Sequence, residues 1–475
     1  MGESIDVAAI MQKAVLAAGV FHQLDQAHTD RIVKAVYKAG FANRVRLAKM
    51  AVEETGMGRW EDKVAKNVLA THSVYEDIKD LKTVGVISED RLAGITELAQ
   101  PLGPVLAVIP VTNPTSTTLF KILICLKTRN PIIISPHRQA SRCAIEAARL
   151  CYEAALTEDA PEDCIQWVTH TSREETQQLM SHPSLALILA TGGGGLVKAA
   201  YSSGTPAIGV GAGNVPVYIE RSADIPFAVE QIILSKTFDN GVICCSEQAI
   251  VVEKAIAQEV KEEFLRQGAW FLDPDEIRAL ETVVYDRGRG GMKPEGVGQS
   301  VAVLAERAGI SVPPGTKLLL APLDGVGRNH PLSGEILSPV LAFYECEDFQ
   351  DALKRCIDIN YHGGVGHTAS IYSNDEERIL TFASLMNAGR IVVNTPSAQG
   401  GVGAGFNTLA PSLTLGCGTG GKNITTDNIT ARHLLNIQRI ARRRPNPRLA
   451  TFDASLATDE SVDAATYRKR LERNY

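Results

Sequence analysis

Apolar and polar positions along the 475-residue chain follow two rhythms. From Ile32 to Met57 the apolar residues recur at helical spacing until Gly56 and Gly58 punctuate the run, which predicts a helical opening. Beyond it, short β-rich runs alternate with helical stretches. Strands are predicted at 105–109, 131–135, 185–189, 217–219, 249–252, 317–320, 340–344, 368–372 and 390–394, with helices at about 116–127, 139–155 and 225–235. Strands separated by helices of this length require right-handed crossovers and a parallel sheet covered on both faces, so the fold class is α/β. Periodicity fades beyond about Pro445 and returns as a weak amphipathic stretch from Ser461 to Tyr475, read as an appendage. No repeat of fixed period is present.

A chain of this length exceeds what one hydrophobic core serves, which predicts two large domains. With 45% hydrophobic and 21% charged residues the composition is that of an ordinary globular protein. A net charge of -6 gives no basic field, so nucleic acid is excluded as a partner class. The local exception, Arg439, Arg442, Arg443 and Arg444, reads as a solvated segment, with phosphate binding or a subunit contact as the alternative. Nine cysteines without a C-x-x-C pair or regular spacing argue against a disulfide framework and for a reducing, cytoplasmic setting. No apolar run approaches the ~20 residues that span a bilayer. The opening Met-Gly-Glu-Ser-Ile-Asp lacks a basic leader, and Asp6 stands where a myristoylation signal has Ser or Thr, so neither export nor lipidation is expected.

Four places carry candidate chemistry. Cys244 ends the polar, glycine-containing run Phe238-Asp239-Asn240-Gly241-Val242-Ile243 at a turn between a helix and a strand, where a thiol is exposed; Cys245 next to it points the other way on an extended backbone. Taken alone, a cysteine is more often a small buried hydrophobe than a nucleophile. Asn113, with Thr112 before it, lies after a strand and before a helix, where its amide could meet an oxyanion or simply start a turn. Gly192, Gly193, Gly194 and Gly195 follow a strand and open a helix, a backbone that can approach a phosphate closely or form a flexible loop; Gly209, Gly211 and Gly213 make a second cluster. His367, beside Gly366, reads as either a proton carrier or a structural histidine. The run from Gly416 to Asn423 imitates a phosphate-binding loop until Asn423 replaces the magnesium-binding Ser or Thr. The ten histidines show no metal-ligand spacing, so no metal site is expected.

Together, VIPVTNPTSTTLFK, LKTRNPIIISPH, LILATGGGGLV, GVGAGNVPVYI, KTFDNGVICCSEQ, GEILSPVLAF, GGVGHTASIYS, GRIVVNTPSAQGG and LAPSLTLGCGTGG occur in an order that resembles the aldehyde dehydrogenase superfamily, specifically its coenzyme A-acylating branch. That branch includes the aldehyde half of bifunctional aldehyde-alcohol dehydrogenases. The resemblance implies two Rossmann-like α/β domains with a cleft between them: a nicotinamide domain at 1–235, a catalytic cysteine domain at 236–430, and a return segment and tail at 431–475. It implies Cys244 as nucleophile and Asn113 as oxyanion partner; His367, read from the residues alone, is the third catalytic candidate. NAD or NADP is expected against Thr112, Ser135, Pro136, His137, Thr191, Gly192, Gly193, Gly194, Gly209, Gly211 and Glu335. Hydrolytic relatives carry a general-base glutamate in Glu-Leu-Gly-Gly, where this chain reads Gly209-Val210-Gly211-Ala212, and Ser135-Pro136-His137-Arg138 replaces their Lys-Pro-Ser-Glu.

The chemistry so implied is aldehyde plus coenzyme A to acyl-coenzyme A through a Cys244 thioester, with coenzyme A as co-substrate. Acetaldehyde or propionaldehyde is the expected substrate; succinate semialdehyde and sulfoacetaldehyde are alternatives. A hydrolytic enzyme with Glu247 or His367 as base is the first rival, and an inactive scaffolding homologue the second. The chain ends without a second dehydrogenase domain, so the alcohol-forming step is expected elsewhere. A homo-oligomer is expected, with the tail a candidate contact to a partner enzyme or a protein shell.

Overall fold

The computed structural model describes residues 5–169, 172–443 and 454–473. Two parallel sheets organise it. The first has five strands in the spatial order Ile165–Trp167, Ile132–Pro136, Val105–Ile109, Leu187–Thr191, Ala207–Val210. All five positions of Val105–Ile109 are buried, the pattern of a strand covered on both faces rather than one alternating between core and water. The chain runs outward from this strand to one edge, returns, and continues on its other side. The order therefore reverses between Val105–Ile109 and Leu187–Thr191, and ligands of open α/β sheets bind at the carboxyl ends beside such a reversal.

The second sheet has seven parallel strands in the order Ala269–Phe271, Leu318–Pro322, Val340–Cys346, Glu247–Glu253, Val215–Ile219, Gly366–Tyr372, Ala388–Val393. Its two faces support separate cores, one around Val229, Ile232 and Phe264 and one around Leu353, Ile359 and Phe382. The α/β reading is thus realised twice. The change of sheet falls between Val210 and Val215, not at residue 235: Val215–Ile219 and the helix Ile225–Thr237 belong to the second sheet. Ala207–Val210 and Val215–Ile219 follow each other with no helix between them, and because the first is absent from the predicted strands this break in alternation goes unmarked in the sequence rhythm.

The predicted helical opening at 32–57 is two helices, Gln26–Ala42 and Arg44–Thr55, separated at Asn43. They pack with Val7–His22 against the first sheet, where Phe21, Val33, Val36 and Leu47 join Val105 and Leu123 in one core. The next helix, Trp60–Val68, runs into a π-helical turn at Leu69–Ser73. A third, antiparallel sheet unites Gly85–Asp90, Ile95–Pro101 and Leu435–Ala441. The segment assigned to a return at 431–475 therefore begins as a strand on the N-terminal part of the chain. Arg439 pairs with Glu97 at 3.0 Å and Arg442 donates to the Thr96 hydroxyl at 2.6 Å. Part of the basic run is thus tied to its neighbouring strand; Arg444 and the last two tail positions lie outside the described residues. Within those residues no helix is long and apolar enough to cross a membrane.

Candidate active site

One cleft of about 600 Å³ joins the carboxyl ends of the five-stranded sheet to Cys244. Eleven of the fourteen residues singled out from the sequence line it: Thr112, Asn113, Ser135, Pro136, His137, Thr191, Gly192, Gly193, Gly211, Cys244 and Glu335. The other three stand just behind. Gly194 opens the helix Gly194–Tyr201. Gly209 lies in its strand with both backbone groups bonded to the Tyr201 hydroxyl, and a Cβ there would strike Val197 at 2.7 Å, so this glycine serves packing. His367 is fully buried, its Nδ1 2.9 Å from the Thr368 hydroxyl and its Nε2 without a hydrogen bond among the described residues.

At the sheet end the wall is backbone and small side chains. Gly193, Gly194, Gly195 and Gly211 have open space where a Cβ would stand, and Thr191 keeps a buried hydroxyl with no partner among the described residues. Gly193 precedes a helix whose first N–H groups receive no side-chain cap. Open glycine backbone, uncapped amides and an orphaned hydroxyl at a strand reversal suit the phosphates and ribose of a dinucleotide.

At the cysteine end the wall is built from buried charge. Asp239, Asn240 and Gly241 all adopt positive φ (50°, 51° and 75°), a left-handed run that costs roughly 1–2 kcal/mol at each non-glycine residue. Asp239 holds it. Its carboxylate accepts from Lys63 at 2.9 Å, Lys66 at 2.5 Å and the Arg59 N–H at 2.7 Å, while its own N–H donates to Asp62. Gly58 admits this carboxylate, because a Cβ there would lie 2.0 Å from the Asp239 Oδ1. Lys63 also donates to the Thr112 carbonyl, and Lys66 to the Asn113 Oδ1 at 2.7 Å and the Val242 carbonyl at 2.6 Å. One helix thus braces the turn before Cys244 and the turn bearing Asn113. Sequence reading passed over these lysines, since a Lys-x-x-Lys pair beside Glu61 and Asp62 has the look of a solvated face.

Cys244 sits half-buried and Cys245 fully so, with the Cys245 thiol donating to the Ala398 carbonyl at 3.3 Å. Only Cys244 reaches the cleft, as expected, but the pair stands in a turn closed by the Ser246 N–H on the Ile243 carbonyl at 3.1 Å rather than on extended backbone, so the two thiols meet instead of pointing apart. The Cys245 thiol, then His367 and the Arg390 guanidinium, pull the Cys244 thiol well below its ordinary range against the upward push of burial. Cys245 is pushed well above it by its neighbour and by burial. Gly213 makes room for this arrangement: a Cβ there would meet the Cys244 carbonyl oxygen at 2.0 Å.

Glu335 is the one carboxylate lining the cleft among the described residues. Burial raises it to about 8, partly opposed by the Gly213 N–H that donates to it at 2.9 Å. Glu247 does not reach the cleft: it accepts from the Ser235 hydroxyl at 2.5 Å and the Ser397 N–H at 2.8 Å. The imitation of a phosphate-binding loop at Gly416 is a packed turn whose Gly416 N–H donates to Asp427 and whose Cβ site is closed by the Thr425 carbonyl.

A profile described as the aldehyde dehydrogenase family matches residues 1–269 and 323–407. The chain belongs to that family. Among curated relatives, aldehyde-alcohol dehydrogenase 2 of Entamoeba histolytica is 46% identical over 428 residues, which is 89% of this chain and 49% of the relative. The chain spans about half the length of that relative and of bacterial aldehyde-alcohol dehydrogenases it also matches. An acetylating aldehyde dehydrogenase from Geobacillus thermoglucosidasius superposes with a TM-score of 0.89 at 47% identity, covering 92% of this chain and 97% of that one. Propionaldehyde dehydrogenase from Rhodopseudomonas palustris, solved with bound coenzyme A and an acylated cysteine, gives 0.81 at 28% identity over 93% of this chain and 98% of that one. The aldehyde dehydrogenase resemblance read from the motifs and the α/β expectation both stand.

Proposed function

We propose that the protein is a coenzyme A-acylating aldehyde dehydrogenase that interconverts a short aldehyde and its acyl-coenzyme A ester with NAD or NADP. The observation that carries this reading is a cleft with a depressed thiol and no carboxylate free to activate water. Gly209 heads the stretch Gly209 to Ala212 where hydrolytic relatives place their base, Glu247 is tied inside its strand, and burial keeps Glu335 largely protonated at neutral pH.

In the oxidative direction the Cys244 thiolate attacks the carbonyl carbon, and the oxyanion is met by the Asn113 Nδ2 and the Cys244 N–H. A nicotinamide bound against Thr191, Gly192, Gly193, Gly211 and Glu335 supplies the hydride acceptor, or the donor in reverse. Ser135, Pro136 and His137 close the adenosine side of the same cleft. The acyl group is then held on Cys244, and the thiolate of coenzyme A takes it, returning the Cys244 thiolate. Water is a poor competitor without a positioned base, whereas a thiol with a pKa near ~8.5 supplies its own nucleophile near neutrality. The role proposed for His367, whose ring acts on the Cys244 thiol, is to take up and return a proton as Cys244 ionises and re-forms.

A second pocket of about 230 Å³ shares Ile243, Val402 and Leu413 with the cleft and is walled by Leu69, Phe238 and Phe406. Its one cation among the described residues, Lys66, is already committed to Asp239, Asn113 and Val242. A small apolar pocket without a free cation suits acetaldehyde or propionaldehyde and disfavours the charged ends of succinate semialdehyde and sulfoacetaldehyde. The deciding assay follows reduced-nicotinamide absorbance over these four aldehydes, with and without coenzyme A and with each nicotinamide. Coenzyme A-dependent turnover of the two uncharged aldehydes supports the reading; free acid formed at full rate without coenzyme A overturns it.

The edge strand Leu435–Ala441, exposed at its last four residues, is proposed as a self-association surface, and the tail helix Ala464–Arg473 as a contact to an enclosing shell or partner enzyme. Nine free cysteines suit a reducing, cytoplasmic setting, including a protein-bounded compartment within it. Sedimentation and localisation of a variant cut before Ser461 test these points; unchanged assembly and location remove the tail from the account.

A further inference from the structure

A side-chain amide is nearly symmetric in shape, so packing does not decide whether its oxygen or its nitrogen faces a ligand. An oxyanion requires the nitrogen. The Asn113 side chain lies between the cleft and the buried ammonium of Lys66, with its Oδ1 2.7 Å from the Lys66 Nζ. An ammonium donates only, so it can accept no other orientation of the amide. Its remaining hydrogens go to the Asp239 Oδ2 at 2.5 Å and the Val242 carbonyl at 2.6 Å, which holds it as a tripod with no donor left to swing elsewhere. Val242 lies two residues before Cys244. The same nitrogen therefore touches both the amide and the loop of the nucleophile, and that loop has further holds in Lys63 on Asp239 and the Asn240 amide on the Gly298 carbonyl, so it stays in place when Lys66 is lost.

We propose that Lys66 is the positioning residue of this site, the group that fixes the Asn113 amide with its N–H toward the substrate oxygen and in register with Cys244. The proposal rests on reading the cleft as one in which a carbonyl becomes an oxyanion. Asn113 Nδ2 meanwhile makes only a long 3.3 Å contact with the Thr112 hydroxyl, a bond weak enough to yield to an anion.

The surroundings make the device dependent on protonation. Asp239, Lys63 and Asp62 act on Lys66, and the Phe238 ring lies 5.4 Å away. Burial outweighs the pull of Asp239 and brings Lys66 down to about 8. Losing a proton gives the amine a lone pair, which can then face the Asn113 nitrogen and release the amide to turn. Glu335 titrates in the same range, also to about 8, and has to be separated from Lys66 by substitution.

The test uses the acylation half-reaction, in which reduced nicotinamide appears in a single turnover without coenzyme A. Lys66→Met in the full chain is expected to slow this step by about 10²–10³-fold, the range for losing one oxyanion donor. KM is expected to move less than about threefold, and iodoacetamide is expected to label Cys244 at close to the unsubstituted rate. Added to Asn113→Ala, it is expected to cost almost nothing more, because both changes remove one contribution. Full multiplication of the two losses, or an unchanged rate in Lys66→Met alone, overturns the proposal. Should Lys66→Met not fold, the pH profile decides: an acylation rate that falls above pH about 8 in the unsubstituted and Glu335→Gln proteins but not in Asn113→Ala supports it, and a fall that survives in Asn113→Ala overturns it. Full turnover in Cys244→Ala would instead sink the functional reading itself, a result separable from any behaviour of Lys66.

Discussion

Where the cleft meets the five-stranded sheet, its wall is glycine backbone and the ends of four strands, at 108–113, 135–138, 191–193 and 210–212; where it meets Cys244, it is a cluster of buried ions drawn from helix, turn and loop. The first end presents an open surface and asks little of its neighbours: Gly193, Gly194, Gly195 and Gly211 have nothing within 4 Å of a Cβ position. The second is over-determined. Asp239 stays in a left-handed conformation only because Lys63, Lys66 and the Arg59 N–H converge on it. A dinucleotide can be bound and released by the former, whereas covalent chemistry needs atoms held to a fraction of an ångström, which the latter provides.

The largest expected effect falls on the rigid end. Cys244→Ala should abolish acyl transfer, on the order of 10⁴-fold or more by nicotinamide absorbance, while Cys245→Ala stays within a few fold. Asn113→Ala should lower kcat by about 10²–10³ with a smaller change in KM. Asp239→Asn leaves Lys63 and Lys66 buried without their shared anion, and urea denaturation should show a loss of about 3–5 kcal/mol.

Changes at the open end should be milder and local. Gly209→Ala should destabilise by about 1–3 kcal/mol through its clash with Val197, whereas Gly211→Ala, facing open space, should leave the melting temperature unchanged and weaken only nicotinamide binding, measured by fluorescence titration. The remaining effect is a pH dependence. Glu335 is raised from 4.5 to about 8 in the folded chain, so it contributes stability that is fully present below pH 4.5 and is lost as pH rises through about 8. Glu335→Gln should flatten the stability profile over that window. An equal response at both ends of the cleft to these substitutions would erase the contrast.

The same contrast explains what could be read from the sequence. The open end was legible because its signal is local: a strand, then Gly192 to Gly195, then a helix, all within one window. Cys244 and Asn113 were legible through the motifs around them. Lys63, Lys66 and Asp239 were not, since they lie more than 170 positions apart and a buried lysine pair is written in the same letters as a solvated one. Gly58 read as a helix terminator because its clash partner, the Asp239 carboxylate, meets it only in three dimensions. The sheet change at Val210 to Val215 escaped for the opposite reason: one parallel strand has the same texture as the next, whichever sheet receives it.

One pairing bears on how the chain is made. Ile95–Pro101 finds a second neighbour only when Leu435–Ala441 arrives, and the Asn130 amide waits likewise for the Leu434 carbonyl, 304 positions later. At ~5–20 residues per second a ribosome needs on the order of tens of seconds to deliver that partner. Throughout that interval the nascent hairpin shows one unpaired flank, open to adhesion with another unfinished copy on the same messenger.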